Sequence, residues 1–252
     1  MTVRDAMVKS KNLVSMRLLR QIGLPAAKAW IARFGFDQAK QPDNLTFALG
    51  AGSVTPLQMA TAYAVFANGG WRVNPVLIAR ITDAQGQVLF EAPAPPALTE
   101  DLRAVPEANV FLVRSLLADV TLRGTAARVQ ATLQRADLYG KTGTTNDAVD
   151  AWFAGFHPSL VAVGWIGHDE PRSLGERESG GGLVLPAWIE VMGRALKGVP
   201  VVPLVPPAGV EHDGRDWRPA GEAAQGLVLR IAVPDAEAAP APEAAASSAS
   251  RP

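Results

Sequence analysis

Apolar residues in the first half of the chain recur at the three-to-four-residue spacing of helices, while beyond residue 138 they fall in short runs suited to strands. A short helical stretch over residues 4–8 is broken by Lys9-Ser10-Lys11-Asn12. Asn12 is suited to cap a second helix, because its side-chain oxygen can accept an orphan N–H. Val14, Leu18 and Ile22 share one face of that helix, and Gly23 ends it. Pro25 opens another helix to about Phe34, with Gly35 as its stop. Residues 49–57 read as a glycine-containing loop that feeds a helix capped by Thr55, with Pro56 in its first turn. Met59, Tyr63 and Phe66 line one face of it, and Asn68-Gly69-Gly70 closes it. Residues 76–81 and 87–90 flank Asp83-Ala84-Gln85-Gly86 as a predicted hairpin. Pro93-Ala94-Pro95-Pro96 follows as an extended linker. Pro106 starts a helix to about Val120, with Val110, Val113 and Leu117 on one side, and Arg123-Gly124-Thr125-Ala126-Ala127 leads out of it.

Three strands are predicted next, over residues 138–144, 151–156 and 160–166. The turns at Asn146-Asp147 and His157-Pro158-Ser159 are too short for anything but antiparallel neighbours. Residues 175–182 form a loop, and Pro186 opens a last helix to about Leu196 with Trp188 and Met192 one turn apart. From Val199 the pattern fades into Pro, Ala, Glu and Ser, and no aromatic follows Trp217. Residues 226–233 read as one weak strand, and residues 233–252 offer too little apolar area to offset chain entropy. The expectation is an α+β domain over residues 1–198, an antiparallel sheet flanked by helices. Residues 199–252 are expected to be a Pro/Ala-rich C-terminal extension, largely disordered at its end.

Composition narrows the function classes. The formal net charge is zero, which argues against nucleic acid as a partner. There is no cysteine, so disulfide frameworks and Cys-based zinc sites are excluded. No run of about 18 apolar residues is present to span a bilayer, and the first residues lack the apolar core of a signal peptide.

The chemistry concentrates in Tyr139-Gly140-Lys141-Thr142-Gly143-Thr144-Thr145. An ammonium, two hydroxyls and two glycines at a strand edge can hold a carboxylate and offer a backbone N–H to a developing oxyanion. Gly143 leaves room for a substrate backbone to lie close. Lys-Thr-Gly is one of three motif classes of serine penicillin-interacting enzymes, beside Ser-x-x-Lys and a Ser-x-Asn type. Ser10-Lys11-Asn12 is the Ser-x-Asn candidate, and its alternative reading is a polar turn between helices with a capping Asn. Gly140-Lys141-Thr142 also mimics the end of a phosphate loop, but that pattern needs glycine where Arg135 stands. His157 and His168 lack ligand spacing and read as surface imidazoles, so neither a metal nor a cofactor is expected. Asp169-Glu170 reads as a solvated turn.

Taken together, these segments resemble the transpeptidase domain of class A (bifunctional) penicillin-binding proteins. The resemblance runs through 8–15 around Ser-x-Asn, 49–70 with its Ala-Gly-Ser-Val-Thr-Pro-Leu-Gln-Met-Ala core, Gly124-Thr125-Ala126, 140–147, 150–156 and 181–188, in family order. It covers roughly residues 4–196. It implies a β-lactamase/transpeptidase-like fold, incomplete at its N-terminal side. It implies acyl transfer from the D-Ala-D-Ala end of a peptidoglycan stem peptide to a neighbouring stem, with β-lactams trapping the intact parent. By the same resemblance Lys141 and Ser10 serve electrostatics and proton transfer, and Asn12 binds the substrate's amide backbone. Thr142 and Thr144 hold its terminal carboxylate beside Gly143, and the Thr144 N–H is half of an oxyanion hole.

The nucleophile is missing. Ser-x-x-Lys sets serine and lysine one helical turn apart, so that the amine can take the hydroxyl proton. No serine in the chain has lysine three residues on. The expectation is a piece of a longer protein, cut inside its catalytic domain and inactive alone. The family's glycosyltransferase domain and membrane anchor are likewise expected upstream, and the parent is expected at the extracytoplasmic face of the cytoplasmic membrane. The competing expectation is a non-catalytic module that binds peptidoglycan or a partner.

Overall fold

A computed structural model of the chain describes residues 1–99 and 102–221. Its centre is a three-stranded antiparallel sheet in the order β3 (Tyr139–Thr144), β4 (Ala151–His157), β5 (Leu160–Ile166). Side chains alternate across this sheet, so each strand sends two sets of residues to two different cores. On one face Ala151 and Phe153 pack with Trp188, Ile189 and Met192 of α7 (Leu185–Ala195) and Val129 of α6 (Arg128–Leu133). The Phe153 and Trp188 rings meet edge-on at 4.8 Å. On the other face Tyr139 and Phe156 pack with Ala67 of α4 (Pro56–Ala67) and Leu117 of α5 (Glu107–Arg123).

The helices form where the pattern places them. α4 begins with a reciprocal cap: Gln58 N–H donates to Thr55 Oγ1 at 3.1 Å, and Thr55 N–H donates to Gln58 Oε1 at 2.9 Å. Its last carbonyls, Phe66 and Ala67, accept from the Arg114 guanidinium of α5 at 2.7 Å each. α1 (Val3–Val8), α2 (Asn12–Ile22) and α3 (Leu24–Ala32) precede α4 in the chain. The predicted α2 face shifts: Leu19 is its buried residue and Ile22 is 60 % exposed. The predicted hairpin is present as β1 (Arg80–Thr82) and β2 (Val88–Glu91), shorter than expected and exposed throughout.

Two expectations are corrected. Asn12 is not a cap: it is the first residue of α2, Lys11 holds the cap position, and no side chain caps that helix. The reason is that α1 ends through a left-handed Ser10 (φ 50°), whose turn makes the chain helical again one residue earlier. His157 is not a surface imidazole. It is buried at the end of β4, where Nε2 lies 3.1 Å from Asp137 Oδ2 and Nδ1 lies 2.8 Å from Ser159 Oγ.

Asp137 explains that burial. Its carboxylate also takes the Arg135 guanidinium at 2.8 and 3.0 Å and the Val202 N–H at 2.7 Å. Arg135 in turn donates to the Val199 and Pro200 carbonyls. The segment after Val199 is therefore laced onto the sheet corner. It continues into a hairpin of β6 (Val210–His212) and β7 (Trp217–Pro219), whose Trp217 packs edge-on against Phe111 of α5 at 5.0 Å. Asp216 holds Arg4 of α1 at 2.8 Å. The weak strand read over 226–233 and the disordered end lie outside the described residues.

Burial alone would raise the Asp137 carboxyl, but Arg135, the Val202 N–H and His157 outweigh it and hold the group below the usual carboxylate range. Removing it takes the charged acceptor away from a part-buried guanidinium and a buried imidazole. Asp137→Ala is expected to cost about 3 kcal/mol or more in urea unfolding, and to make the Val199–Val202 segment an early site of proteolysis. An unfolding midpoint equal to that of the parent chain would contradict this role.

Candidate active site

Among the described residues β3 has β4 on one side and no strand on the other. Which of its backbone groups reach that open edge follows from the register. Lys141 faces Ala154 and Gly143 faces Trp152, and one step further the Thr145 N–H donates to the Asp150 carbonyl at 3.1 Å. Bonded and non-bonded positions alternate in an antiparallel pair. Lys141, Gly143 and Thr145 thus bond to β4, while Thr142 and Thr144 turn their N–H and C=O groups outward. Their side chains lie on the α7 face of the sheet, and that of Lys141 lies on the opposite face.

A lysine is long enough to undo that separation. Its stem carries Nζ back to the edge, where it donates to the Thr142 carbonyl at 3.0 Å and to Ser10 Oγ at 2.8 Å. The second bond joins residues 131 positions apart and brings together Ser-x-Asn and Lys-Thr-Gly. Desolvation pulls the Lys141 ammonium down from its ordinary value of 10.5 to about 8. Ser10 is a non-glycine residue in the left-handed region, which costs free energy and recurs where geometry serves a site.

Two further segments close around β3. The first is the turn between α5 and α6. Gly124 has no room for a side chain, since a Cβ there would lie 2.7 Å from the Val8 carbonyl and 2.9 Å from Val120 backbone. Thr125 follows, its N–H directed at the Val8 carbonyl at 3.3 Å and its Oγ1 2.7 Å from Thr142 Oγ1. The second is a wide π-type turn over Gly180–Val184, opened by Ser179, whose Oγ accepts from the Gly182 N–H. Gly180 donates its N–H to Thr144 Oγ1 at 3.1 Å. A Cβ on Gly180 would stand 2.1 Å from the Trp152 carbonyl oxygen and 2.5 Å from that of Gly143, so only glycine fits.

Of the residues singled out from sequence, Ser10, Lys141, Thr142 and Thr144 come together at this edge. Gly143 lies between the two threonines and packs its α-carbon over Trp152, where a Cβ would sit 3.2 Å from the Trp152 Cβ. Asn12 stands two residues beyond Ser10 on the first turn of α2, exposed to solvent. Thr125, within Gly124-Thr125-Ala126, and Gly180 carry no sequence signal of a role at this edge. Their contacts are made by residues 17 and 36 positions away, so no local pattern marks them. Among the described residues no group of acidic or His side chains could hold a metal ion, and no helix is long and apolar enough to cross a membrane.

A family model described as the penicillin binding protein transpeptidase domain matches residues 1–175. Penicillin-binding protein 1A of Neisseria flavescens is 45 % identical over 213 residues, and the match covers 84 % of this chain but only 27 % of that protein. The crystal structure of penicillin-binding protein 1A from Haemophilus influenzae superposes with a TM-score of 0.79 at 33 % identity, over 84 % of this chain and 36 % of that one. PonA1 of Mycobacterium tuberculosis in complex with penicillin V superposes with a TM-score of 0.65 at 26 % identity, over 80 % of this chain and 58 % of that one. The chain spans about a quarter of the length of the curated Neisseria relative.

The lowered Lys141 value sets a pH dependence. Below about pH 8 the ammonium is charged in the folded and the unfolded chain, and its burial penalty is fully present. Between about 8 and 10.5 the folded chain releases the proton first, so stability rises with pH across that window. A Lys141 Cε resonance titrating with a midpoint near 8, and a stability gain over this window that Lys141→Met lacks, are the expected results. A midpoint near 10.5 would rule the effect out.

Proposed function

Since the chain belongs to the transpeptidase family of the class A penicillin-binding proteins, we propose that it forms one side of a D,D-transpeptidase cleft in cell-wall synthesis. The whole protein takes the D-Ala-D-Ala end of a peptidoglycan stem peptide into an acyl-enzyme and passes the acyl group to an amine of a neighbouring stem. The observation that carries this reading is the 2.8 Å bond from Lys141 Nζ to Ser10 Oγ. It puts an ammonium and a hydroxyl in hydrogen-bonded contact at an open strand edge, where a peptide can add as a further strand.

That placement supports the following roles. A stem peptide pairs with the outward backbone groups of Thr142 and Thr144. Its terminal carboxylate meets the Thr142 and Thr144 hydroxyls, with the Lys141 charge beside them. The outward Thr144 N–H is one donor to the oxyanion, an interaction whose loss costs about 2.7–4 kcal/mol of barrier in a serine protease. Ser10 and Lys141 pass a proton across the cleft: the Ser10 hydroxyl gives its proton to the leaving amine and recovers one through Lys141. A lysine near 8 is poised for that exchange. Asn12, on the first turn of α2, meets the amide backbone of the stem. Gly143 leaves room for the peptide backbone to lie close. β-Lactams, whose carboxylate and amide carbonyl repeat the same features, are trapped by the intact parent at the acyl-enzyme.

No serine of this chain is followed three residues on by lysine, so the chain by itself binds without catalysing. That makes the non-catalytic peptidoglycan-binding reading a description of this chain, and transpeptidation a description of the protein it belongs to. The site of action is the extracytoplasmic face of the cytoplasmic membrane, where stem peptides are cross-linked.

Two measurements on the purified chain test the reading together. Intact mass after incubation with a reactive penicillin is expected to show no adduct. Titration with an acylated peptide ending in D-Ala-D-Ala is expected to saturate, and Lys141→Ala to weaken it by about tenfold or more, the scale of a charge-assisted hydrogen bond. A stoichiometric adduct on Ser10, or binding unchanged in Lys141→Ala, would overturn it.

A further inference from the structure

The two threonine hydroxyls of β3 are not equivalent to free hydroxyls. A hydroxyl has one proton to donate and two lone pairs to accept with. Thr144 Oγ1 already accepts from the Gly180 N–H at 3.1 Å. That donor fills an acceptor position and leaves the Thr144 proton to a ligand. Among the described residues no backbone N–H is directed at Thr142 Oγ1, and its partner is Thr125 Oγ1 at 2.7 Å. Either oxygen of that pair can be the donor, so the direction depends on what faces Thr142 from the cleft. If Thr142 gave its proton to Thr125, it would present only lone pairs to an arriving anion. With a carboxylate present, the favourable arrangement is the chain Thr125 O–H to Thr142 Oγ1, then Thr142 O–H to the carboxylate. Each bond in such a chain polarises the next.

Thr125 is held firmly enough for this task. Gly124 is jammed against Val8 and Val120, the Thr125 N–H is tied to the Val8 carbonyl, and the Gly181 α-carbon packs toward the Thr125 carbonyl and the Thr142 methyl. The segment ending in Ser10, strand β3 and the Gly180–Val184 turn therefore meet at Thr125. Without it, Thr142 keeps its hydroxyl but loses the donor that aims it.

We propose that Thr125 is a positioning residue that turns the Thr142 proton into the cleft, so that each β3 threonine aims its proton at the ligand, and that the site thereby selects a terminal carboxylate over a terminal carboxamide. A carboxylate offers a separate charged oxygen to each of the two aimed protons, whereas a carboxamide offers a single neutral oxygen to both. This rests on the reading of the edge as a stem-peptide site.

The test uses the full chain, its Thr125→Val, Thr125→Ala and Thr125→Ser variants, and two probes: an acylated peptide ending in D-Ala-D-Ala and the same peptide as its C-terminal carboxamide. Thr125→Val and Thr125→Ala are expected to weaken the acid about five- to tenfold, to leave the carboxamide within about twofold, and so to collapse the acid-to-amide preference. Thr125→Ser is expected to restore it. Acid binding that is unchanged in both hydroxyl-free variants, an equal loss for acid and amide, or failure of serine to rescue would each overturn the role of Thr125 alone. Absence of measurable acid binding by the parent chain would instead overturn the stem-peptide reading, and this inference with it.

Discussion

Everything at the site depends on an ammonium that crosses the edge of a sheet. Lys141 leaves β3 on the face opposite to its threonine neighbours, and only its four-carbon stem lets Nζ reach back to the Thr142 carbonyl and Ser10. Taking that charge out of water is unfavourable, and this desolvation pulls its pKa down to about 8. Among the described residues this ammonium is held by two neutral oxygens and has no counter-charge. An arriving carboxylate supplies one, so the same burial that costs stability favours an anion at the edge.

The fold places this edge by dividing its labour between two faces. Phe153 and Trp188 fasten the sheet to α7, while Tyr139 and Phe156 fasten it to α4 and α5. Small residues then bring the cleft walls in. Gly124 allows the α5–α6 turn to touch α1, and Gly180 lies directly over the Gly143 and Trp152 carbonyls. The Asp137, Arg135 and His157 cluster works at the far end of β4 and ties Val199–Val202 to the sheet. It therefore supports the sheet rather than the chemistry.

Much of this was legible in the chain. The three antiparallel strands, α4 with its Thr55 cap, α5 and α7 follow from local periodicity and turn chemistry, and the strand edge carrying Lys141 follows with them. What escaped was set by distant partners. His157 reads as a surface residue until Asp137 and Val202 enclose it. Asn12 reads as a cap until the left-handed Ser10 takes up the turn. Thr125 carries no mark of its own until Thr142 lies against it. β6 and β7 are three residues each, too short for a period to show, although Asp213-Gly214 between them is turn chemistry: the Asp213 carboxylate accepts from the Arg215 and Asp216 N–H groups. In each case the deciding contact spans the sequence, and a pattern read along the chain does not contain it.

The most direct test is a structure of this chain bound to an acylated peptide ending in D-Ala-D-Ala. The account predicts the peptide lying along the open edge of β3, its backbone paired with Thr142 and Thr144, and its carboxylate within hydrogen-bond distance of both threonine hydroxyls. A peptide seated elsewhere, for instance in the apolar cavity of about 660 Å³ lined by Val73, Pro95 and Leu102, with β3 left bare, would contradict it.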